Sequence, residues 1–306
     1  MSYLSDSACI LVCKWVEKKI GLLLTLEKKY LVEHRLDPVA TMNGFTSIDE
    51  LVEALIKEKN GLLEQQIIDS LVTNETYFFR DPDSFVDLKE MIKKLYVTKK
   101  DKKLRIWSAA CSTGQEIYSI AITLHDLHLD WTGWTLQLMG TDISEAALNK
   151  AKKGIYNHFE VQRGLHITQL IKWFTQVNDK WQIKSPFLSS IEFKSLNLLT
   201  DPIPFTKIDL LFLRNVLIYF DNPVKKKLLR KMKDYLGISG YLILGGTETA
   251  FYLNDEVNRL KEYKTPVYQF KDLNASTGNE KITENESIKV QPQKDNTIGN
   301  LIWPTF

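Results

Sequence analysis

The chain of 306 residues has room for one domain of roughly 200 residues and a smaller companion, and its 44% hydrophobic content supports a real core. A formal net charge of +2 excludes the strong basic excess with which a dedicated nucleic-acid binder neutralises phosphates. No run of about 18 uncharged apolar residues marks a membrane span, no signal-peptide pattern opens the chain, and Cys9, Cys13 and Cys111 match neither a disulfide framework nor a paired metal site; a cytoplasmic protein with reduced thiols is expected.

From Cys9 to Leu71 apolar residues recur at helical spacing, as in Leu63, Ile67 and Leu71, with breaks at Gly21, Pro38, Gly44 and Gly61. This predicts a small all-α domain over 1–72. Beyond Leu104 short β-rich runs alternate with amphipathic stretches: LRIWSAA, then Ile117 to Leu127; TLQLMGTD, then Ala146 to Lys153; KIDLLFLRN, then Val224 to Leu236; then GYLILGG. Such alternation predicts an α/β domain over 73–270, a parallel sheet wrapped by helices. At about 174–193, KWQIK and SIEFK read as two short strands around Ser185 and Pro186, which predicts a small antiparallel flap. Residues 271–300 contain no aromatic residue and are rich in Asn, Glu, Lys, Ser and Thr, so 271–306 is expected to be a disordered tail, ending in Leu301-Ile302-Trp303-Pro304-Thr305-Phe306.

Charge is unevenly placed along these segments. Residues 1–72 hold 8 Lys and Arg against 11 Asp and Glu, the tail holds 4 against 5, and the middle is left at +6. A basic middle suits an anionic protein partner, and equally an ordinary solvated surface.

Ligands of open parallel sheets sit outside the carboxyl ends of the strands. The first informative end, Ser108 to Gly114, is a turn of small residues with a single glycine, too few for the backbone cradle that a pyrophosphate needs. The second ends at Asp142, a carboxylate able to accept from both hydroxyls of a ribose, although a helix N-cap, for which Ser144 competes, is an equal reading. Glu116 adds a second acid, which suits a cationic ligand and does not suit a pyrophosphate; its competing reading is a first-turn residue complementing the helix dipole. At the third end Arg214 and Asn215 interrupt an apolar run, so a ligand or a fixed hydrogen-bond partner is expected there.

Six strings then occur in order: NETYFFRDPDSF (Asn74 to Phe85), RIWSAACSTGQEIYSIAI (Arg105 to Ile122), GTDISEAALNKAKKGIY (Gly140 to Tyr156), SLNLL (Ser195 to Leu199), RNVLIYF (Arg214 to Phe220) and GYLILGGTET (Gly240 to Thr249). Over most of residues 9–270 the chain resembles the CheR-type chemoreceptor methyltransferases. The resemblance implies a class I S-adenosylmethionine methyltransferase (Rossmann-like) fold and a protein-glutamate O-methyltransferase acting on the cytoplasmic helical region of methyl-accepting chemotaxis receptors. It implies S-adenosyl-L-methionine as cofactor, held by Asn74, Thr76, Arg80, Glu116, Asp142, Asn197, Leu198, Asn215 and Val216, with Arg80 toward its carboxylate, Asp142 on the ribose and Tyr219 facing the incoming glutamate. Tyr77, Phe78 and Phe79 are read as interdomain packing.

A glutamate of ordinary pKa, about 4.3, is already ionised at neutral pH, so no general base is needed, and His34, His125, His128, His158 and His166 all fall outside the six strings. His125 and His128 read as a solvated pair, and no metal is expected. By resemblance the helical domain and flap would contact the receptor. Lys14, Lys18, Lys19, Lys28, Lys29 and Arg35 could meet its acidic helices, or simply keep the domain soluble. Relatives that hold a receptor peptide on the flap carry a glycine-containing loop there, whereas this chain has no glycine between Leu165 and Leu236, which puts that contact in doubt. The terminal Trp303, Thr305 and Phe306 resemble such a peptide and could dock on a flap or another partner, against a chance hydrophobic end. The alternative function is a catalytically silent regulatory module of the same fold that binds cofactor, product or a nucleotide; a nicotinamide dehydrogenase is disfavoured by the missing glycines.

Overall fold

The computed structural model describes residues 3–271 apart from 58–59, 185–188 and 204–206. Four helices come first: α1 (Asp6–Ile20), α2 (Lys29–Met42), α3 (Ile48–Lys57) and α4 (Gly61–Leu71). Helix α1 starts where the Ser5 hydroxyl accepts the Ala8 N–H and ends at Gly21 in the left-handed region (φ 75). The helical spacing read from sequence becomes one shared core, in which Cys9, Val12, Val16, Leu36, Leu51 and Ile67 are fully buried. Pro38 does not break the chain as expected; it lies inside α2. Burial of Val32, Leu36, Val39 and Ala40 on one face of that helix offsets the lost backbone bond.

Helix α5 (Pro82–Thr98) leads into the sheet: β1 (Lys103–Ala109), α6 (Gln115–Asp126), β2 (Thr135–Asp142), α7 (Glu145–Lys153), β3 (Ile155–Asn157), α8 (His158–Gln162), α9 (Ile167–Trp173), β4 (Phe174–Val177), β5 (Lys180–Ile183), β6 (Ile191–Ser195), β7 (Ile208–Leu213), α10 (Asn222–Lys233), β8 (Leu236–Leu244), β9 (Val257–Arg259) and β10 (Val267–Phe270). Seven strands form the main sheet in the order β6-β2-β1-β7-β8-β10-β9. The first five are parallel, while β10 runs antiparallel to both β8 and β9. Strand β7 is buried along its whole length, as a central parallel strand covered on both faces must be. The chain winds outward from β1 through β2 to β6 and then returns to β7 on the other side of β1. That reversal opens a crevice at the carboxyl ends of β1 and β7.

The expected flap is built differently. The first of its expected strands, in KWQIK, is β5, which lies between β3 and β4 and pairs antiparallel with both in a separate sheet of order β3-β5-β4. A two-residue turn, Asn178-Asp179, joins β4 to β5 with Asn178 left-handed (φ 56), a conformation asparagine tolerates. SIEFK is no part of the flap: it forms β6, parallel to β2 at the edge of the main sheet. Core packing decides this. Ile191 is buried, and the Phe193 ring packs beside Tyr118 over Gly140, where an added Cβ would lie 3.0 Å from that ring. Ser185 and Pro186, and the tail beyond Lys271, lie outside the described residues.

Candidate active site

Where the ends of β1, β2 and β7 meet the end of α1 and the linker between α4 and α5, the chain encloses a cavity of about 290 Å³. Every residue singled out from sequence lines it: Asn74, Thr76 and Arg80 from the linker, Glu116 from α6, Asp142 from β2, Asn197 and Leu198 after β6, and Asn215, Val216 and Tyr219 after β7.

The turn after β1 is strained. Ala110 (φ 59) and Ser112 (φ 51) sit in the left-handed region, which costs about 1–2 kcal/mol for a residue with a Cβ. The strain turns the Ser112 N–H onto Asp142 Oδ2 at 2.7 Å and the Ser112 hydroxyl onto the carbonyl of Asn74 at 2.8 Å, tying β1 to β2 and to the linker. Asp142 Oδ1 accepts the Ser144 N–H at 2.9 Å. The N-cap of α7 is Ser144, whose hydroxyl accepts from Ala147, so Asp142 is not used as the cap. Burial pushes the Asp142 carboxyl above its ordinary value, against the backbone N–H bonds that pull it down. Cys111, next in the turn, is driven well above the usual thiol range, chiefly by burial, and stays protonated.

Glu116 and Arg214 form a buried knot. Glu116 accepts from the Ser108 hydroxyl at 2.7 Å and from Arg214 at 2.9 Å, while the other arm of Arg214 reaches Asp81 at 2.8 Å and the Arg80 carbonyl at 2.7 Å. The Arg214 side chain is 1% exposed, so its charge requires these partners. The polar interruption of the third strand is therefore a fixed contact that clamps the linker to the sheet, and it engages Glu116, which the sequence reading had placed beside the ligand.

Asn215 is left-handed as well (φ 59). The loop it opens is held by Glu248, a buried residue that sequence reading missed. Oε1 of Glu248 accepts the N–H groups of Val216 (2.8 Å) and Leu217 (2.7 Å), and Oε2 accepts those of Asn215 (2.7 Å) and Gly245 (2.8 Å). A Cβ on Gly245 would lie 2.8 Å from that carboxylate, which explains the glycine after β8. An acid placed just past an apolar strand and a glycine pair was the available signal.

The Asn197 side chain is committed to structure: its amide donates to the Lys19 carbonyl at 2.8 Å and its oxygen accepts the Leu199 N–H at 3.0 Å. It thereby locks the end of α1 against the segment that presents Leu198. Tyr219 is half-buried against the helical domain, and its carbonyl accepts the Leu23 N–H at 3.2 Å. Arg80 donates to the Glu75 carbonyl and lies 5.6 Å from the Tyr77 ring centre. Phe78 is fully buried in the core of the α/β domain and Phe79 packs against that core, so these two pack within the domain and not between domains; Tyr77 is partly buried. His125 packs 4.2 Å from the Trp173 ring rather than standing in solvent, and burial lowers its pKa to about 4. Among the described residues no group of three or more His, Cys, Asp and Glu could hold a metal ion, and no helix is long and apolar enough to cross a membrane.

The family model described as the CheR methyltransferase SAM-binding domain matches residues 74–266, and that of the CheR all-alpha domain matches residues 10–72. The chain belongs to the CheR methyltransferase family. Cher2, a chemotaxis protein methyltransferase of Pseudomonas putida, is 36% identical over 262 residues, spanning 84% of this chain and 95% of its own. Chemotaxis protein methyltransferase 1 of Pseudomonas aeruginosa is 35% identical over 84% of this chain and 95% of its own, and the chemotaxis protein methyltransferase of Borreliella burgdorferi is 35% identical over 77% and 86%.

The protein is thus a CheR methyltransferase of the class I fold, with S-adenosylmethionine as its cofactor. The lining fits that group. Asp142 keeps acceptor capacity beyond its backbone bonds for a pair of hydroxyls. The small side chains of Ala110 and Ser112 admit close approach, and apolar Leu198 and Val216 offer surface for a flat base.

Proposed function

We propose that this CheR methyltransferase is a cytoplasmic protein-glutamate O-methyltransferase whose acceptors are glutamate side chains on the cytoplasmic helices of chemotaxis receptors. The observation that carries this is the absence of a disposable proton acceptor in the cavity lining. Among the described residues the lining holds no histidine or lysine, the Cys111 thiol is kept protonated, and Glu116 is tied to Ser108 and Arg214. Glu75 is paired with Arg163 at 3.0 Å, and Asp142 is held by backbone N–H groups. A site of this kind serves a nucleophile that arrives already ionised, as a carboxylate of pKa about 4.3 does.

S-adenosylmethionine supplies a methyl group on a positively charged sulfur. Asp142 would accept the ribose hydroxyls, Arg80 would pair with the cofactor carboxylate as a fork, and Leu198 and Val216 would border the base. Asn74 and Thr76 would close the linker side. Asn215, fixed through Glu248, would line the reacting end, with Tyr219 on the acceptor side. The work of these residues is positioning and exclusion of water, effects that together can supply roughly 7–11 kcal/mol. Asn197 acts through the backbone it orients. The test is transfer of labelled methyl to receptor-rich membranes, with Asp142→Ala and Arg80→Ala as controls. Transfer by the native protein that both substitutions abolish supports the reading, and native protein that binds S-adenosylhomocysteine yet labels nothing removes it.

A further inference from the structure

The helical-domain cations expected to meet an acidic partner are in part used at home. Lys19 pairs with Glu64 and Lys29 with Asp6, each at 2.6 Å, and the Arg35 guanidinium donates to the carbonyls of Leu71 and Val72. Helix α10 differs. Its sequence NPVKKKLLRKMK contains six cations and no acid, and it buries Leu228, Leu229 and Met232. Arg230 reaches Glu256 at 2.7 Å, Lys231 caps the carbonyls of Leu198 and Asp201, and Lys225 lies 5.2 Å from the Tyr252 ring centre. Lys226, Lys227 and Lys233 have no ion-pair partner among the described residues. Glu256 faces more charge than it can match: its carboxyl is held low by the bond from Arg230, with Lys233 and Lys226 adding to the pull.

This arrangement works against the helix itself. Lys226 and Arg230, Lys227 and Lys231, and Arg230 and Lys233 are like charges at spacings where side chains are neighbours. The dipole is not the source of the cost, since Asp221 is an acidic N-cap and Arg230, Lys231 and Lys233 lie in the last turn, where cations suit it; the crowding of like charges is. Charge kept at a cost to local stability points to a use outside the chain. Placement says where. Phe220 lines the cavity and Asp221 caps α10, so the helix springs from the active-site rim, with Lys226 only about 6 Å along its axis from Asn222.

We propose that the exposed face of α10 is a docking surface for the acceptor, an acidic helical polypeptide whose carboxylates it draws to the rim of the cavity. The inference rests on the glutamate-methylating reading above. The whole-chain charge of +2 disfavours nucleic acid as the occupant.

The experiment compares native protein with the double variant Lys226→Glu, Lys227→Glu, using a purified cytoplasmic fragment of a methyl-accepting receptor. kcat/KM for the fragment is expected to fall about tenfold at low ionic strength, with the gap closing as salt rises, while kcat and S-adenosylhomocysteine affinity stay native. Thermal stability should not fall, because glutamates at 226 and 227 turn the like-charge neighbours of Arg230 and Lys231 into attractive pairs, so a docking defect is separable from misfolding. Unchanged kcat/KM in the variant overturns the proposal and leaves the proposed function standing. Native protein that binds S-adenosylhomocysteine but never labels the fragment brings down the function and this inference with it, and that failure is visible before any variant is made. Charge-dependent sedimentation with phosphatidylglycerol vesicles, with receptor kinetics untouched, assigns the face to lipid and overturns it as well.

Discussion

Replacing Glu248 with Gln keeps the shape and removes one acceptor. The carboxylate takes four backbone N–H groups, two on each oxygen, at 2.7–2.8 Å. An amide retains one oxygen and turns its NH2 toward the other two donors, so two charge-assisted bonds are lost. At about 1.5–3 kcal/mol each, the loss is about 3–6 kcal/mol. The loop from Asn215 to Leu217 can swing out and give its N–H groups to water, so much of that cost should appear as loss of the loop and not of the fold. Since about 2.7 kcal/mol corresponds to 100-fold in affinity, S-adenosylhomocysteine should bind Glu248→Gln at least about 100-fold more weakly, with the remainder seen as lower unfolding free energy in urea. Calorimetry and urea titration on the same preparation read both parts. Affinity within about threefold of native, together with unchanged unfolding free energy, would refute the view that Glu248 sets the loop.

Three further outcomes follow from the geometry. The raised carboxyl of Asp142 takes up its proton at a higher pH than an ordinary aspartate of 3.8, and the protonated form loses acceptor capacity; S-adenosylhomocysteine affinity should therefore fall as pH drops through that raised value, and the dependence should vanish in Asp142→Asn. The same sign means that the buried charge costs folding stability at neutral pH, a cost relieved on acidification. Arg214→Lys breaks the clamp to Glu116, Asp81 and the Arg80 carbonyl in a buried setting and should lower unfolding free energy by about 3–5 kcal/mol, measured in urea. Gly164→Ala should fail to fold normally or lose at least about 3 kcal/mol, because the residue sits at φ 96 and its new Cβ would collide with the Phe78 carbonyl oxygen; native-like stability would show that the linker does not press on this turn.

Much of this was legible in the sequence because the strands are short apolar runs whose ends carry the polar residues. Asp142 follows TLQLMGT, and Arg214 and Asn215 follow IDLLFL, so each could be placed at the rim before any coordinates. Partnership was less visible. SIEFK has the pattern of a flap strand, and only the burial of Ile191 and the space over Gly140 send it to the main sheet. Glu248 speaks to backbone N–H groups, which every residue but proline possesses, so no side-chain pattern advertises the contact. Glu116 read as an acid facing a cation, and its engagement by Arg214 depends on two strands lying side by side. Lys19, Lys29 and Arg35 looked free because what holds them comes from distant parts of the chain: Glu64 and Asp6 for the two lysines, the Leu71 and Val72 carbonyls for the arginine.

On the proposed function the methyl group should end on a carboxylate oxygen. Labelled S-adenosylmethionine incubated with the protein and a receptor cytoplasmic fragment should give label that mild alkali releases as methanol, and that disappears when the target glutamates are replaced by alanine. Label that survives alkali, on nitrogen or sulfur, would contradict it.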